Sequence, residues 1–113
     1  MELRFESGKL INTATESDIR ENLQAERFAV LSADPDTYIQ CAKKRRPPGE
    51  YDLEYQAGSL EEHYRAIDRP IDYGRVLQAL CNYLKYDASW RDNFRWEKMS
   101  LSPPPSQGKD DSR

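Results

Sequence analysis

Few side chains in this sequence can do chemistry, and their spacing narrows the choice further. His63 is the single histidine, and Cys41 and Cys81 are the two thiols. A general base needs a nucleophile or a substrate pocket in hydrogen-bond reach, and a nucleophilic thiol needs surroundings that favour the thiolate. Cys81 falls on the apolar stripe of Val76, Leu77, Leu80 and Leu84, where burial makes a thiol a small hydrophobe. Cys41 lies in the strand-forming run Thr37-Tyr38-Ile39-Gln40-Cys41-Ala42 and can face either way. His63, beside Tyr64 and Arg65, reads as a surface or hydrogen-bonded strand residue. We assign no catalytic residue. One His and two Cys cannot supply a four-ligand Cys/His zinc site, so no metal is expected, and no cofactor either.

The carboxylates give a similar answer. Asp52 and Glu54 stand two apart, about 7 Å on one strand face, a separation compatible with glycosidase chemistry. Yet Tyr51-Asp52-Leu53-Glu54-Tyr55-Gln56 alternates without error, so the acids form the solvated half of an amphipathic strand. No Gly-x-Ser-x-Gly elbow or His-Glu-x-x-His helix occurs, and the five glycines are too dispersed to cradle phosphate.

Two features point to binding instead. The first is the basic run Lys43-Lys44-Arg45-Arg46, with a net charge of +3 over residues 41–50 between segments of −4 at 1–40 and 51–74. At a hairpin tip it can contact a phosphate, an acidic protein partner or the acidic faces of its own fold. The formal charge of −3 disfavours nucleic acid, which needs a wider basic surface. The second feature is a surplus of aromatics: seven Tyr, three Phe and two Trp in 113 residues. Alternation assigns Phe28, Tyr51, Tyr55 and Trp96 to the core. Tyr38, Tyr64, Tyr83, Tyr86 and Trp90 exceed what so small an apolar inventory can bury, and half-exposed Tyr and Trp carry binding energy at interfaces. The candidate partner-binding residues are Lys43, Lys44, Arg45, Arg46, Tyr38, Tyr64 and Trp90.

The elements that position these residues follow from periodicity. Leu3-Arg4-Phe5-Glu6 reads as a short strand before Ser7-Gly8. Thr13 and Glu16 have capping-box spacing, and Ile19 with Leu23 makes an apolar face for a helix over about 14–25. Four strands follow within 27–67, at Phe28–Ala33, Thr37–Ala42, Tyr51–Gln56 and Glu62–Ile67, with connections short enough to force an antiparallel meander. Asp72 caps a helix over about 73–86. Residues 87–92 form a turn or an extra helical turn, and 93–101 contain a last strand. The expected fold is α+β, an antiparallel meander of about five to six strands packed by two helices in the order β-α-ββββ-α-β. Residues 1–101 make one domain. Residues 102–113, rich in Pro and Ser, read as a disordered tail able to serve as a Pro-rich ligand.

Mean hydropathy is −0.96, and no apolar run approaches the ~18 residues that span a bilayer. The opening Met-Glu-Leu-Arg-Phe lacks a signal peptide's apolar stretch. A cytoplasmic protein with no membrane partner is the expectation.

The succession Phe28-Ala29-Val30-Leu31, Thr37-Tyr38-Ile39-Gln40-Cys41-Ala42, Leu53 to Ser59, Ala79-Leu80 with Tyr83-Leu84, and Trp90 with Phe94-Arg95-Trp96-Glu97 resembles a group of small bacterial uncharacterised proteins. That group is similar to the immunity proteins of polymorphic-toxin systems. The likeness spans about 15–100 through scattered apolar and aromatic positions and carries no active-site motif. It implies an α+β protein that binds and blocks a toxin. The resulting expectation is a non-enzymatic protein-binding domain that neutralises a cognate toxin. The alternative is a small-molecule-binding protein or enzyme with a pocket between the sheet and helix 73–86, lined by Tyr38, His63 and Tyr64 or by Asp52 and Glu54.

Overall fold

Alternation and turn chemistry dominate the local structure. The computed structural model describes residues 1–100, so the expected tail at 102–113 lies outside the described residues. The strands are β1 (Glu2–Phe5), β2 (Leu10–Ile11), β3 (Phe28–Asp34), β4 (Thr37–Lys43), β5 (Tyr51–Ala57), β6 (His63–Ala66) and β7 (Trp96–Lys98). They form one antiparallel sheet in the order β2-β1-β3-β4-β5-β6-β7. The helices are α1 (Glu16–Asn22), α2 (Tyr73–Leu84) and α3 (Ser89–Asp92), with short 3-10 turns at Leu23–Ala25 and Leu60–Glu62. The α+β meander expected from the sequence is present with seven strands. The additional strand is the two-residue β2, too short to show any periodicity.

Cross-strand register divides the side chains into rungs. On one face Leu3, Leu31, Ile39, Tyr55 and Tyr64 lie across five strands, with Phe5, Ala29, Cys41 and Leu53 in the next rung. This face meets Ile19, Leu23, Val76, Ala79 and Leu80, all 2 % exposed or less. Burying a Leu, Ile or Val side chain is worth about 1.5–3 kcal/mol, so this layer provides the driving force for folding. The opposite face carries the rungs Glu2-Ser32-Tyr38-Gln56-His63 and Arg4-Val30-Gln40-Glu54-Arg65-Glu97.

Three local expectations are corrected. Phe28 pairs with Ala42 on the polar face and is only half-buried. The continuous run Phe28-Ala29-Val30-Leu31 carries no period, and pairing with β1 sets its face by putting small Ala29 between Phe5 and Cys41. The α1 capping box is Thr15 with Asp18, not Thr13 with Glu16. Thr15 Oγ1 accepts from the Asp18 N–H at 3.2 Å and Asp18 Oδ2 from the Thr15 N–H at 2.8 Å. Ala14 is instead held outside the helix by its N–H bond to the Met1 carbonyl, at 2.9 Å. Finally, α2 stops at Leu84 because Tyr86 adopts a left-handed conformation.

Among the described residues, no helix is long and apolar enough to cross a membrane.

Candidate functional site

The sheet face that no core helix covers holds the two polar residues that are buried among the described ones, Gln56 and His63. Strand β5 brings Glu54 and Gln56 to this face two residues apart, and register sets His63 directly opposite Gln56. His63 Nδ1 lies 3.0 Å from Gln56 Oε1, and Nε2 lies 2.8 Å from Glu54 Oε1. The Gln56 amide is oriented by its own contacts. Its Nε2 donates to the Asp36 carbonyl at 3.2 Å, and its Oε1 accepts from the Tyr38 hydroxyl at 3.2 Å. Gln40 Nε2 donates to Glu54 Oε1 at 3.0 Å.

Both nitrogens of His63 thus face acceptors. The Tyr38 ring stands edge-on to the imidazole with centroids 6.0 Å apart. Burial, then the charges of Glu54 and Asp36, push the Tyr38 phenol above its ordinary pKa. The network is closed upon itself, since each polar group at its centre has a partner inside the sheet.

Beside it the same face opens into a concavity of about 590 Å³. Val30, Ser32, Tyr38 and Gln40 form its floor, and Glu2, Asn12 and Asp34 stand among its walls. Charges on this face are paired internally: Glu2 with Arg4 at 2.8 Å, Arg65 with Glu97 at 3.5 Å, and Asp52 with Lys44 at 3.8 Å.

The residues singled out from the sequence fall in three places. Tyr38 belongs to the polar face just described. Tyr64 and Trp90 lie on the other side of the sheet, where both pack on Tyr55. Tyr64 stacks at 5.0 Å and Trp90 meets the ring edge-on at 4.9 Å. Trp96 joins them at 4.7 Å from Tyr55, so this part of the aromatic surplus is a half-buried cluster at the sheet margin. The basic run lies at the far end of β4, ~20 Å from Tyr38 along the strand. Only half of it projects. Lys43 Nζ donates to the Gln24 carbonyl, and Lys44 Nζ sits 3.8 Å from both Glu50 and Asp52. Arg45 and Arg46 are exposed and form no ion pair among the described residues.

Catalytic pairing of Cys with His is ruled out by parity. Cys41 belongs to the helix-covered rung and His63 to the polar one, on opposite sides of the sheet. Burial pushes the Cys41 thiol up to about 12. Asp52 and Glu54 do share a face, but each is engaged separately, Asp52 by Lys44 and Glu54 by His63 and Gln40. The space between the sheet and α2 is filled by Leu31, Ile39, Leu53, Val76 and Leu80, each 1 % exposed or less. No cluster of His, Cys, Asp or Glu among the described residues has the makings of a metal site.

Sequence reasoning missed the Glu54–His63–Gln56 arrangement. Each of these residues looks solvated when its own strand is considered alone. Only the register across the connection at 58–62, set by Gly58 at φ 92° and the 3-10 turn, juxtaposes them. Comparison with protein-family models, with curated proteins and with solved structures returns no match.

Proposed function

We propose that this chain is a non-enzymatic protein-binding domain that neutralises a toxin by covering it with the polar face of its sheet. The observation that carries this reading is the closed network of Gln40, Glu54, His63, Gln56 and Tyr38. It holds a sheet face in one geometry without leaving a group free for acid–base or nucleophilic work. A preorganised polar surface with an aromatic on the floor of a concavity is what a protein interface uses to bind without paying for side-chain ordering. The immunity-protein resemblance supplies the toxin as the partner class.

The test is affinity capture from the source cell with the wild-type chain and with Val30→Arg, which blocks the concavity floor. The expected result is one protein retained by wild type, lost with Val30→Arg, and harmful to growth when produced alone. A captured protein that ignores Val30→Arg, or one without toxicity, overturns the reading.

A further inference from the structure

Tyr86 is 82 % exposed, far more than any other large apolar side chain among the described residues. It is also the one described non-glycine residue with positive φ, at 60°. The reason is the way α2 ends. The Tyr86 N–H bonds the Tyr83 carbonyl at 3.1 Å and the Asp87 N–H bonds the Asn82 carbonyl at 2.9 Å. This pair of bonds closes a helix C-terminus around a left-handed residue, a position glycine normally fills. A side chain there crowds the following carbonyl, so tyrosine is strained. With so much of its surface in solvent, packing within the chain does little to offset that strain.

The surroundings indicate what such a side chain meets. The last turn of α2 puts the Tyr83 ring 5.1 Å from Trp90, which packs on Tyr55 close to the Thr37–Ala57 pairing, so Tyr86 and the β3–β4 turn share one end of the molecule. Asp34 and Asp36 are exposed there and form no ion pair among the described residues. Two positive side chains at this end are already engaged, Arg4 by Glu2 at 2.8 Å and Lys85 by Glu16 at 3.1 Å. Asp34, Pro35 and Tyr38 continue into the concavity of the polar face.

We propose that Tyr86, the Asp34-Pro35-Asp36 turn and the adjoining concavity dock a basic loop of a protein partner, with Tyr86 as the aromatic anchor and the two carboxylates facing Lys or Arg. This surface rests on the protein-binding reading above and extends it to the edge of the sheet. Strain without packing is retained where an external contact uses it, and unpaired carboxylates steer a cationic partner.

The experiment follows amide shifts of the labelled full chain on adding a short Lys/Arg-rich peptide or its Glu-rich counterpart. Tyr86→Gly and the double variant Asp34→Asn/Asp36→Asn are measured alongside wild type. The basic peptide is expected to shift residues 34–38 and 86, and the acidic one to shift none of them. Tyr86→Gly should raise the melting temperature by roughly 4–8 °C while weakening the peptide roughly fivefold or more. The double Asn variant should lose the salt dependence of binding. Shifts confined to other surfaces, or unchanged binding by Tyr86→Gly, overturn the proposal. A captured toxin sensitive to Val30→Arg but indifferent to Tyr86→Gly and to the Asn variant sinks this surface alone and leaves the protein-binding reading intact.

Discussion

His63 Nε2 lies 2.8 Å from Glu54 Oε1, although the two residues sit on the sheet face that the core helices leave uncovered. The ring is 2 % exposed there, shielded by its cross-strand neighbours. A polar contact so enclosed is expensive to break on one side only, because the remaining group keeps its desolvation cost without its partner.

Glu54→Ala removes the acceptor from both His63 Nε2 and Gln40 Nε2. We expect a loss of about 1–3 kcal/mol, read from the denaturant midpoint at unchanged slope. Glu54→Gln, which keeps an oxygen at the site, should fall between. A loss under ~0.5 kcal/mol for the alanine variant, typical of a surface change, would show that solvent already satisfies the ring.

Gly58 governs the register that makes this contact. Its N–H bonds the Asp36 carbonyl at 3.0 Å, the same oxygen that accepts from Gln56 Nε2. An added Cβ would meet no atom within 4 Å, yet φ is 92°. Gly58→Ala should therefore cost about 1 kcal/mol or more through backbone conformation alone. Thermal unfolding measures it, and a neutral or stabilising result would mean the turn relaxes without disturbing β6.

Asp68 fastens the chain between β6 and α2. Burial opposes its charge, but the Arg95 N–H at 2.8 Å and the Arg75 guanidinium at 3.2 Å outweigh that and hold its carboxyl below the ordinary value of 3.8. A lowered folded-state pKa contributes stability that is complete above the unfolded value and disappears as pH falls through the folded one. Asp68→Asn should thus be less stable by about 1 kcal/mol or more at pH 7. The gap should close as pH drops below that of an ordinary aspartate. Urea midpoints at the two pH values decide, and a gap independent of pH would remove Asp68 as the titrating group.

The basic run divides into two halves with separate consequences. Arg45 and Arg46 are exposed without ion pairs among the described residues, whereas Lys44 is 17 % exposed between Glu50 and Asp52. Replacing both arginines by alanine should leave stability within about 0.5 kcal/mol of wild type. Lys44→Ala leaves two carboxylates facing each other and should cost more. Equal midpoints for the two variants would show the Lys44 contacts to be fully screened.

The elements with a clear period were legible in the residues themselves. Tyr51, Leu53 and Tyr55 are buried as their alternation requires, and Val76, Leu80 and Cys81 line the inner side of a helix capped by Asp72. These features are local, because apolar spacing and a capping side chain act within a few residues. Where the run is uniformly apolar, as at Phe28 to Leu31, no period exists and the face had to come from pairing with β1. The same holds for the site. Glu54, Gln56, Tyr38 and His63 are ordinary polar strand residues in the chain, and register alone makes them one hydrogen-bonded unit. The five surplus aromatics, too, could only be counted from composition. Tertiary packing sorted them, burying Tyr83, half-burying Tyr38, Tyr64 and Trp90, and leaving Tyr86 outside. Sequence determined which segments could pair and which faces could be apolar. The tertiary structure decided which polar residues meet, because cross-strand contact depends on the register that the connecting turns impose and not on the pattern within either strand.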